Sequence, residues 1–219
     1  MTNAHDVATL YFDTVSPFAY LMWKALQRKP FELNIRPVPV VFGAILGHWG
    51  QLGPAEIGPK RLHTYRYCQW LADREGIPFR FPPAHPFRSL DSLRLIAALD
   101  NSEAAIDAVF DAIFLEGLDL AVPDVLAAVG GRLGVADVPA LIAATEAPAR
   151  LRANTDVAIA EGVFGVPTLA VRGELFWGFD ALPMARDYLH RPDMFDQPEM
   201  KRLANLPMGV QRSGSGLSR

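Results

Sequence analysis

Apolar residues change their spacing twice along the chain, which divides it into three parts. Near the N-terminus, Ala8 to Phe12 and Leu33 to Val41 are β-rich runs. Between them, from Phe18 to Arg28, apolar residues recur at helical spacing. This order predicts a β-α-β opening. Pro37 and Pro39 have no N–H to give to a sheet ladder, so we expect the second strand to fray after its first residues or to lie at an edge.

The middle of the chain has mostly helical spacing. It begins with a stretch rich in Gly and Pro, residues 43–59, which has no clear period and predicts a long loop. The helices predicted after it are Lys60–Glu75, Leu90–Leu99, Glu103–Leu115, Val125–Leu133, Val138–Thr145 and Ala147–Glu161. Ser89, Ser102 and Asp124 are candidate N-caps.

The last part returns to strands. Thr168–Val171 and Glu174–Trp177 predict a hairpin, followed by a helix from about Ala181 to Leu189. Strands at both ends of a helical block predict one α/β domain with a large all-helical insertion. We place the α/β domain at residues 1–43 and 162–210, the insertion at 44–161, and a flexible tail at 211–219.

Composition excludes several classes of function. The chain has 219 residues, half of them hydrophobic, a formal charge of −3 and no long Lys/Arg run, so it lacks the electrostatic footprint of a nucleic-acid or anionic-membrane binder. We expect a small-molecule or protein partner. The polar start Met1 to Asp6 has no apolar signal region, and no run of eighteen apolar residues occurs, so we expect a cytoplasmic protein.

The single cysteine, Cys68, cannot form an internal disulfide or a dithiol redox pair. Its aromatic neighbours predict a buried helix position rather than a reactive thiol. The five histidines show neither His-Glu-x-x-His nor Cys-x-x-Cys spacing, so we assign no metal site. The chain also lacks the Gly-x-Gly-x-x-Gly and Gly-x-Ser-x-Gly patterns of nucleotide-binding proteins and hydrolases.

Ser16-Pro17 directly follows the first predicted strand. In the structural interpretation the pair begins a helix, with Ser16 as the N-cap and Pro17 as the first helical residue. The same position is where α/β proteins bind ligands, and the free N–H groups of a helix tip favour an anion such as a thiolate. A serine hydroxyl there would bind a sulfur rather than supply one.

Two later segments allow a structural and a functional interpretation. In one interpretation Pro167 simply begins a strand. Alternatively, if the Val166-Pro167 bond is cis, Val166 can present its backbone N–H and C=O to an extended, peptide-like ligand. Asp180, after Gly178, is a plain N-cap, or a carboxylate that pairs with a ligand's amino group.

Four blocks, taken together and in this order, resemble the family of 2-hydroxychromene-2-carboxylate isomerases and kappa-class glutathione transferases. These are relatives of the DsbA-type thioredoxin fold. The blocks are YFDTVSPFAYL, GIPFRFPPAHPF, RLRANTDVAIAEGVFGVPT and GELFWGFDAL. The resemblance extends to about Leu189 and implies a thioredoxin-like domain with a helical insertion. It also implies a glutathione-dependent enzyme, with an isomerase of an aromatic-degradation intermediate as the leading hypothesis. Relatives are commonly dimers, so we expect a homodimer.

By this resemblance, Ser16 hydrogen-bonds the glutathione sulfur where DsbA-like proteins place their first cysteine, with Pro17 and Phe18 beside it. Val166 and Pro167 form a cis-proline loop that pairs with the cysteinyl backbone of glutathione. The remaining implied contacts are Phe179 and Asp180 at the γ-glutamyl end, Gln51 at or near a family Asn, and Lys60 at a glutathione carboxylate.

The chain departs from the family pattern in three places, which makes the substrate the most open question. Ala181 follows Asp180 where the family often has Arg, HPFR replaces HPFN, and HWGQLGP replaces a Gly-Asn-containing loop. Arg88, Lys60 and Arg36 are the candidate cations for a substrate carboxylate. A kappa-like transferase or peroxidase, or a non-catalytic protein that holds peptides at Val166-Pro167, are the alternative functions.

Overall fold

The structure, a computed structural model, describes residues 7–210. Four strands form one mixed sheet in the order β2-β1-β3-β4. The strands are β1 (Val7–Phe12), β2 (Asn34–Pro39), β3 (Thr168–Val171) and β4 (Glu174–Trp177). β1 pairs with β2 in parallel and with β3 antiparallel, and β3 pairs with β4 antiparallel. The β-α-β opening and the final hairpin therefore form one sheet, as predicted, with the helical segment between them.

Most predicted helices begin and end within two residues of the observed bounds. The α-helices of the described residues are α1 (Pro17–Arg28), α2 (Phe42–Trp49), α3 (Gly58–Glu75), α4 (Leu90–Ala98), α5 (Glu103–Phe114), α6 (Pro123–Arg132), α7 (Val138–Ala143), α8 (Glu146–Ala160), α9 (Leu182–His190) and α10 (Pro198–Ala204). Short 3-10 helices lie at Pro54–Glu56, Phe179–Ala181 and Pro192–Asp196.

The prediction of a long loop over residues 43–59 is wrong in its first half, where α2 forms. Ile45 and Leu46 of α2 are buried, so packing outweighs the low helix propensity of its glycines. Gly50 ends the helix in the left-handed conformation, with φ 63°, which glycine adopts without strain. The helix brings the predicted loop close to the sheet.

Of the two alternatives predicted for β2, an edge position is the one that the structure has. β2 is an edge strand, and it does not fray after Ile35 but stays paired with β1 as far as Pro39. Residues two apart in a strand direct their backbone N–H to the same side, so Pro37 and Pro39 can both face away from β1. The missing donors therefore fall on the open edge.

Of the three predicted caps, Ser102 is confirmed, because its side chain accepts a hydrogen bond from Ala105 N. Ser89 occupies the N-cap position of α4 but makes no capping bond. Asp124 is wrong as a cap, since α6 starts one residue earlier, at Pro123. Proline is favoured at the first helical position, and it moves the boundary.

Apolar side chains pack on both faces of the sheet. The larger cluster joins Leu10 and Phe12 of β1 to Cys68 of α3 and Phe110 of α5, so the sheet and the helical segment share one core. The smaller cluster, on the other face, includes Tyr11 of β1, Ile45 of α2, Ala158 of α8 and Val166. The two clusters fix the turn that follows β1 from both sides. The predicted tail, 211–219, lies outside the described residues.

Candidate active site at the tip of helix α1

Ser16 is the N-cap of α1 and lies where β1 ends. Its Oγ accepts a hydrogen bond from Ala19 N at 3.3 Å, and Pro17 occupies the first helical position. The turn before it is closed by Ser16 N donating to Asp13 O at 3.0 Å. Ser16 is 6% exposed, so its hydroxyl lies in a largely desolvated environment. The cap interpretation is thus right as geometry, and its bond occupies the Ala19 N–H at the tip of α1.

The Val166-Pro167 segment lies directly against this helix tip. The Ser16 hydroxyl donates to Val166 O at 3.4 Å, which joins positions 150 residues apart. The Val166-Pro167 peptide bond is cis, as expected. A distance of 3.4 Å is long for a hydroxyl donor, so the bond is weak and the hydroxyl can turn to a better acceptor.

Phe179 and Asp180 are attached to the same segment. Gly178 N donates to Pro167 O at 2.9 Å, and the 3-10 turn that follows contacts α1. Asp180 lies inside that turn and is exposed, while Ala181 is the N-cap of α9. The interpretation of Asp180 as a plain N-cap is therefore wrong, and its carboxylate is available to solvent.

The remaining predicted residues lie on neighbouring elements. Gln51 follows α2 and Lys60 lies in the first turn of α3, and both are exposed. Within residues 7–210, no hydrogen bond or salt bridge joins either side chain to Ser16, Val166 or Asp180. Arg88 is exposed between α3 and α4. Arg36 donates to Thr9 Oγ1 at 2.9 Å, partway along β1 rather than at its end.

Asp13 is a buried carboxylate that the sequence analysis missed. Its Oδ1 accepts from Val15 N and its Oδ2 accepts from Phe42 N, both at 2.9 Å. Burial raises the pKa of Asp13, and these backbone hydrogen bonds oppose the rise. The side chain of Val41, the N-cap of α2, makes no capping bond, so Asp13 caps that helix from another segment. The acidic residue at the end of a β-rich run was the available signal.

His85 and Tyr65 brace the same turn from the helical segment. His85 Nε2 lies 2.8 Å from Val15 O, and Tyr65 Oη lies 2.9 Å from His85 Nδ1 and 2.5 Å from His85 O. Burial lowers the pKa of His85, which keeps the ring neutral, with Nε2–H as the donor to Val15. Sequence reasoning found His85 only as part of the HPFR block.

Three aromatic side chains surround the Val166 segment and were not predicted as a group. Trp49 Nε1 donates to Val163 O at 2.9 Å, and the rings of Phe164 and Trp177 lie 5.1 Å apart. Trp177 also packs on Gly165, where a Cβ would overlap its indole nitrogen. This close contact fixes the backbone just before Val166.

Cys68 is fully buried, as predicted, and burial raises its pKa to about 12. The thiol is therefore protonated at neutral pH. Among residues 7–210, no group of three or more His, Cys, Asp or Glu could hold a metal ion. No helix in that part of the chain is long and apolar enough to cross a membrane.

Comparisons with known proteins agree with the predicted family. The DSBA-like thioredoxin domain model matches residues 8–190. A 2-hydroxychromene-2-carboxylate isomerase from Sphingobium xenophagum is 30% identical over 200 residues, covering 86% of this chain and 99% of the relative. Glutathione s-transferase kappa 2 from Caenorhabditis elegans is 26% identical over 208 residues, covering 85% and 92%.

A solved structure of a 2-hydroxychromene-2-carboxylate isomerase superposes with a TM-score of 0.73 at 26% identity, covering 92% of this chain and all of that one. The disulfide reductase DsbM from Pseudomonas aeruginosa, solved with GSH, has a TM-score of 0.56 at 19% identity and shares the fold. The chain belongs to the DsbA-like thioredoxin family, in the group of 2-hydroxychromene-2-carboxylate isomerases and kappa-class glutathione transferases.

Proposed function

We propose that this protein is a glutathione-dependent isomerase of 2-hydroxychromene-2-carboxylate or a related aromatic-degradation intermediate, working in the cytoplasm as a homodimer. The observation that carries the proposal is the buried Ser16 hydroxyl, held at the tip of α1 and against Val166. The chain's one thiol is buried in the core, so a reacting sulfur must come from a ligand.

The tip of α1 is suited to a thiolate. A helix N-terminus carries a partial charge of roughly +0.5. At this tip Pro17 has no N–H and the Ala19 N–H is bonded to Ser16, which leaves the Phe18 N–H as the backbone donor. Ser16 adds a hydroxyl donor whose present bond, at 3.4 Å, is weak enough to exchange for a charged acceptor. Together these donors lower the pKa of a bound thiol and raise its nucleophilic fraction at neutral pH.

The surrounding residues fit the rest of the tripeptide. Val166 offers its backbone for strand-like pairing with the cysteinyl residue, and the exposed carboxylate of Asp180 suits the α-amino group of the γ-glutamyl end. Phe179 packs below it against the core. We assign Gln51 and Lys60, both exposed, to the remaining polar groups and to a carboxylate of glutathione.

Bound glutathione would supply a nucleophilic thiolate for reversible addition to an unsaturated carbon of the substrate, so that glutathione is regenerated after ring opening and bond rotation. The chain's own part is electrostatic. Ser16 and the tip of α1 stabilise the anion before addition and after release, while His85 and Asp13 hold the turn that carries Ser16. A cation must meet the substrate carboxylate.

Calorimetry with glutathione tests the proposal. Wild-type protein should bind, and Asp180→Ala should bind several-fold more weakly, because the amino group loses its carboxylate partner. Asp193→Ala is the matched control, since Asp193 is also exposed, belongs to a 3-10 helix and forms no salt bridge within residues 7–210. Absence of binding by the wild-type protein would contradict the proposal and favour the peptide-holding alternative.

A kappa-like transferase is the second candidate, favoured by the 26% identity to a kappa-class relative. The same thiolate site would serve it, so only turnover separates the two. Isomerisation regenerates glutathione, whereas transfer consumes it. Counting free thiol during turnover of 2-hydroxychromene-2-carboxylate and of an electrophilic nitrobenzene halide decides between them.

A further inference from the structure

Residues 85–92, which run into the first turn of α4, are attached to the turn that precedes α1 at two points. His85 Nε2 lies 2.8 Å from Val15 O, and the hydroxyl oxygens of Thr14 and Ser92 lie 2.8 Å apart. Thr14 and Ser92 are both fully buried, so their hydrogen bond is shielded from water. Breaking a buried hydrogen bond leaves its partner unsatisfied, which is costly. The two attachments therefore hold this segment beside the tip of α1.

Arg88 lies between these two attachments. It comes three residues after His85 and four before Ser92. Consecutive Cα atoms are at most about 3.8 Å apart, so the Cα of Arg88 lies within about 11 Å of the Cα of His85. Val15, which is bonded to His85, directly precedes Ser16. An arginine carries its guanidinium at the end of a long aliphatic stem, which lets the charge reach a ligand at the tip of α1.

The guanidinium of Arg88 is available to a ligand. The residue is exposed, and within residues 7–210 its side chain takes part in no hydrogen bond or salt bridge. Arg94, the next arginine along the chain, is by contrast paired with Asp91 at 3.3 Å. Residues 76–90 contain no Asp or Glu, so this segment brings positive charge to the side of the site. A ligand carboxylate placed there is attracted to it.

The other two candidate cations are less suited to the substrate carboxylate. Lys60 is assigned to a carboxylate of glutathione, which has to be bound at the same time. Arg36 donates to Thr9 Oγ1 at 2.9 Å, partway along β1 rather than at its end. Asp13, the carboxylate of the turn before α1, is buried, and both of its oxygens accept backbone N–H groups, so its own hydrogen bonding is already satisfied. Of the three candidates, only Arg88 is both close to the site and unassigned.

We propose that Arg88 binds the carboxylate of the aromatic substrate and makes the site prefer a carboxylate to a neutral ring compound. The inference rests on the proposed function, because it names the residue that selects the substrate of the same site. Arginine meets a carboxylate with two parallel N–H···O bonds, a geometry that the single ammonium of lysine does not provide. The chain has HPFR where the family pattern is HPFN, so Arg88 adds a charge that a neutral Asn would lack.

The test is calorimetry with 2-naphthoate, an unreactive planar carboxylate, and with its neutral amide, each with and without saturating glutathione. Wild-type protein should bind the carboxylate about three- to tenfold more tightly than the amide, a modest ratio because solvent screens an exposed ion pair. Arg88→Gln should lose this preference and keep its affinity for the amide. Arg88→Lys, which keeps the charge and loses the paired bonds, should show an intermediate preference, so the test remains valid if Arg88→Gln does not fold.

Arg172→Gln is the matched control. Arg172 is exposed, forms no salt bridge within residues 7–210 and lies in the turn between β3 and β4. Because β3 runs antiparallel to β1, this turn is at the opposite end of the sheet from Ser16. The substitution removes the same unit of charge, so the variant should prefer naphthoate as the wild type does. A loss of preference shared by Arg172→Gln and Arg88→Gln would assign the effect to net charge and overturn the inference.

Glutathione binding and turnover separate this inference from the proposed function. Arg88→Gln should bind glutathione as the wild type does. With 2-hydroxychromene-2-carboxylate its KM should rise several-fold while kcat stays within about twofold, as expected when a contact shared by the ground and transition states is lost. Equal naphthoate affinity in the wild type and in Arg88→Gln would overturn the inference even if glutathione binds. So would weaker glutathione binding by Arg88→Gln with naphthoate affinity unchanged, because Arg88 would then serve glutathione. Failure of the wild type to bind glutathione would contradict the proposed function, whereas the naphthoate preference is also measured without glutathione.

Discussion

Ser16 and Ser102 cap their helices with nearly the same geometry. The Oγ of Ser16 accepts from Ala19 N at 3.3 Å, and the Oγ of Ser102 accepts from Ala105 N at 3.4 Å. Only Ser16 also donates to a second segment of the chain, at Val166 O. The pair makes it possible to separate the effect of a serine cap on a helix from the effect of its hydroxyl on a ligand.

Ser16→Ala should raise the pKa of bound glutathione by about one unit and slow turnover about tenfold. A hydrogen bond to a charged acceptor contributes about 1.5–3 kcal/mol, and one pKa unit corresponds to about 1.4 kcal/mol. Ultraviolet titration of the bound thiolate measures the shift. Ser102→Ala should cost a similar stability, about 1 kcal/mol, and leave that pKa unchanged. A shift shared by both variants would assign the effect to the fold rather than to the hydroxyl.

His85 should make stability depend on pH below neutrality. Burial lowers its pKa in the folded protein below the ordinary value near 6.5, and the bond to Val15 opposes this. A lowered folded pKa means that the stabilisation is present above pH 6.5 and is lost as pH falls through the folded pKa. The Tm advantage of the wild type over His85→Gln should therefore shrink between pH 7 and pH 5. The Tm difference between the wild type and His48→Gln, a change at an exposed histidine, should stay constant over the same pH range.

Gly165→Ala should loosen the Val166 segment, because the new Cβ would overlap Trp177 Nε1 and force the indole or the backbone to move. We expect a loss of about 1–3 kcal/mol in the free energy of unfolding and weaker glutathione binding. Gly131→Ala, in α6, meets no atom within 4 Å and should be neutral or stabilising. Chemical denaturation and calorimetry measure both effects, and equal behaviour of the two variants would refute the argument.

Asp107 joins α5 to α1. It accepts hydrogen bonds from Trp23 Nε1, Lys24 Nζ and Gln27 Nε2 at 2.8–2.9 Å. Burial alone would raise the pKa of Asp107, but these bonds, with the one from Lys24 the strongest, hold it below its ordinary value. The stabilisation is therefore present above the unfolded pKa, near 3.9, and is lost as pH falls through the folded pKa.

Asp107→Asn should lower the free energy of unfolding by about 1 kcal/mol at pH 7, a figure reduced for solvent screening because the side chain is 34% exposed. The melting temperatures of wild type and variant should converge in acid. Asp100→Asn is the control, because its pair with Arg150 is far more exposed and should contribute little. Melting curves that remain equally separated down to pH 3 would contradict the assignment.

Structural features that depend only on residues close together in the sequence could be predicted from it. Ser102 as a cap and the β3–β4 hairpin follow from short segments, and both were predicted correctly. Helix α2 was missed because its stability comes from burial against the sheet rather than from its own glycine-rich sequence. The position of Ser16 at the end of β1 could be predicted from the sequence. Its contact with Val166, 150 residues away, is seen only in the folded chain.

The supports of the site were missed for the same reason. Asp13 directly follows a strand that was predicted, but nothing local indicates that it caps α2 through Phe42. His85 belongs to a recognised block, but its bond to Val15 crosses 70 residues. Such contacts depend on how elements pack, which periodicity and capping preferences do not encode.

One apolar cluster joins Leu10 and Phe12 of β1 to Phe110 of α5, so the helical segment cannot be exchanged independently of the sheet. Deleting it would expose the underside of the sheet to water, and grafting it onto another sheet would leave its own rings without neighbours. Chimaeras joined at the ends of this segment should therefore be insoluble. In related proteins, substitutions in the sheet should be accompanied by compensating substitutions in the helices that pack on it.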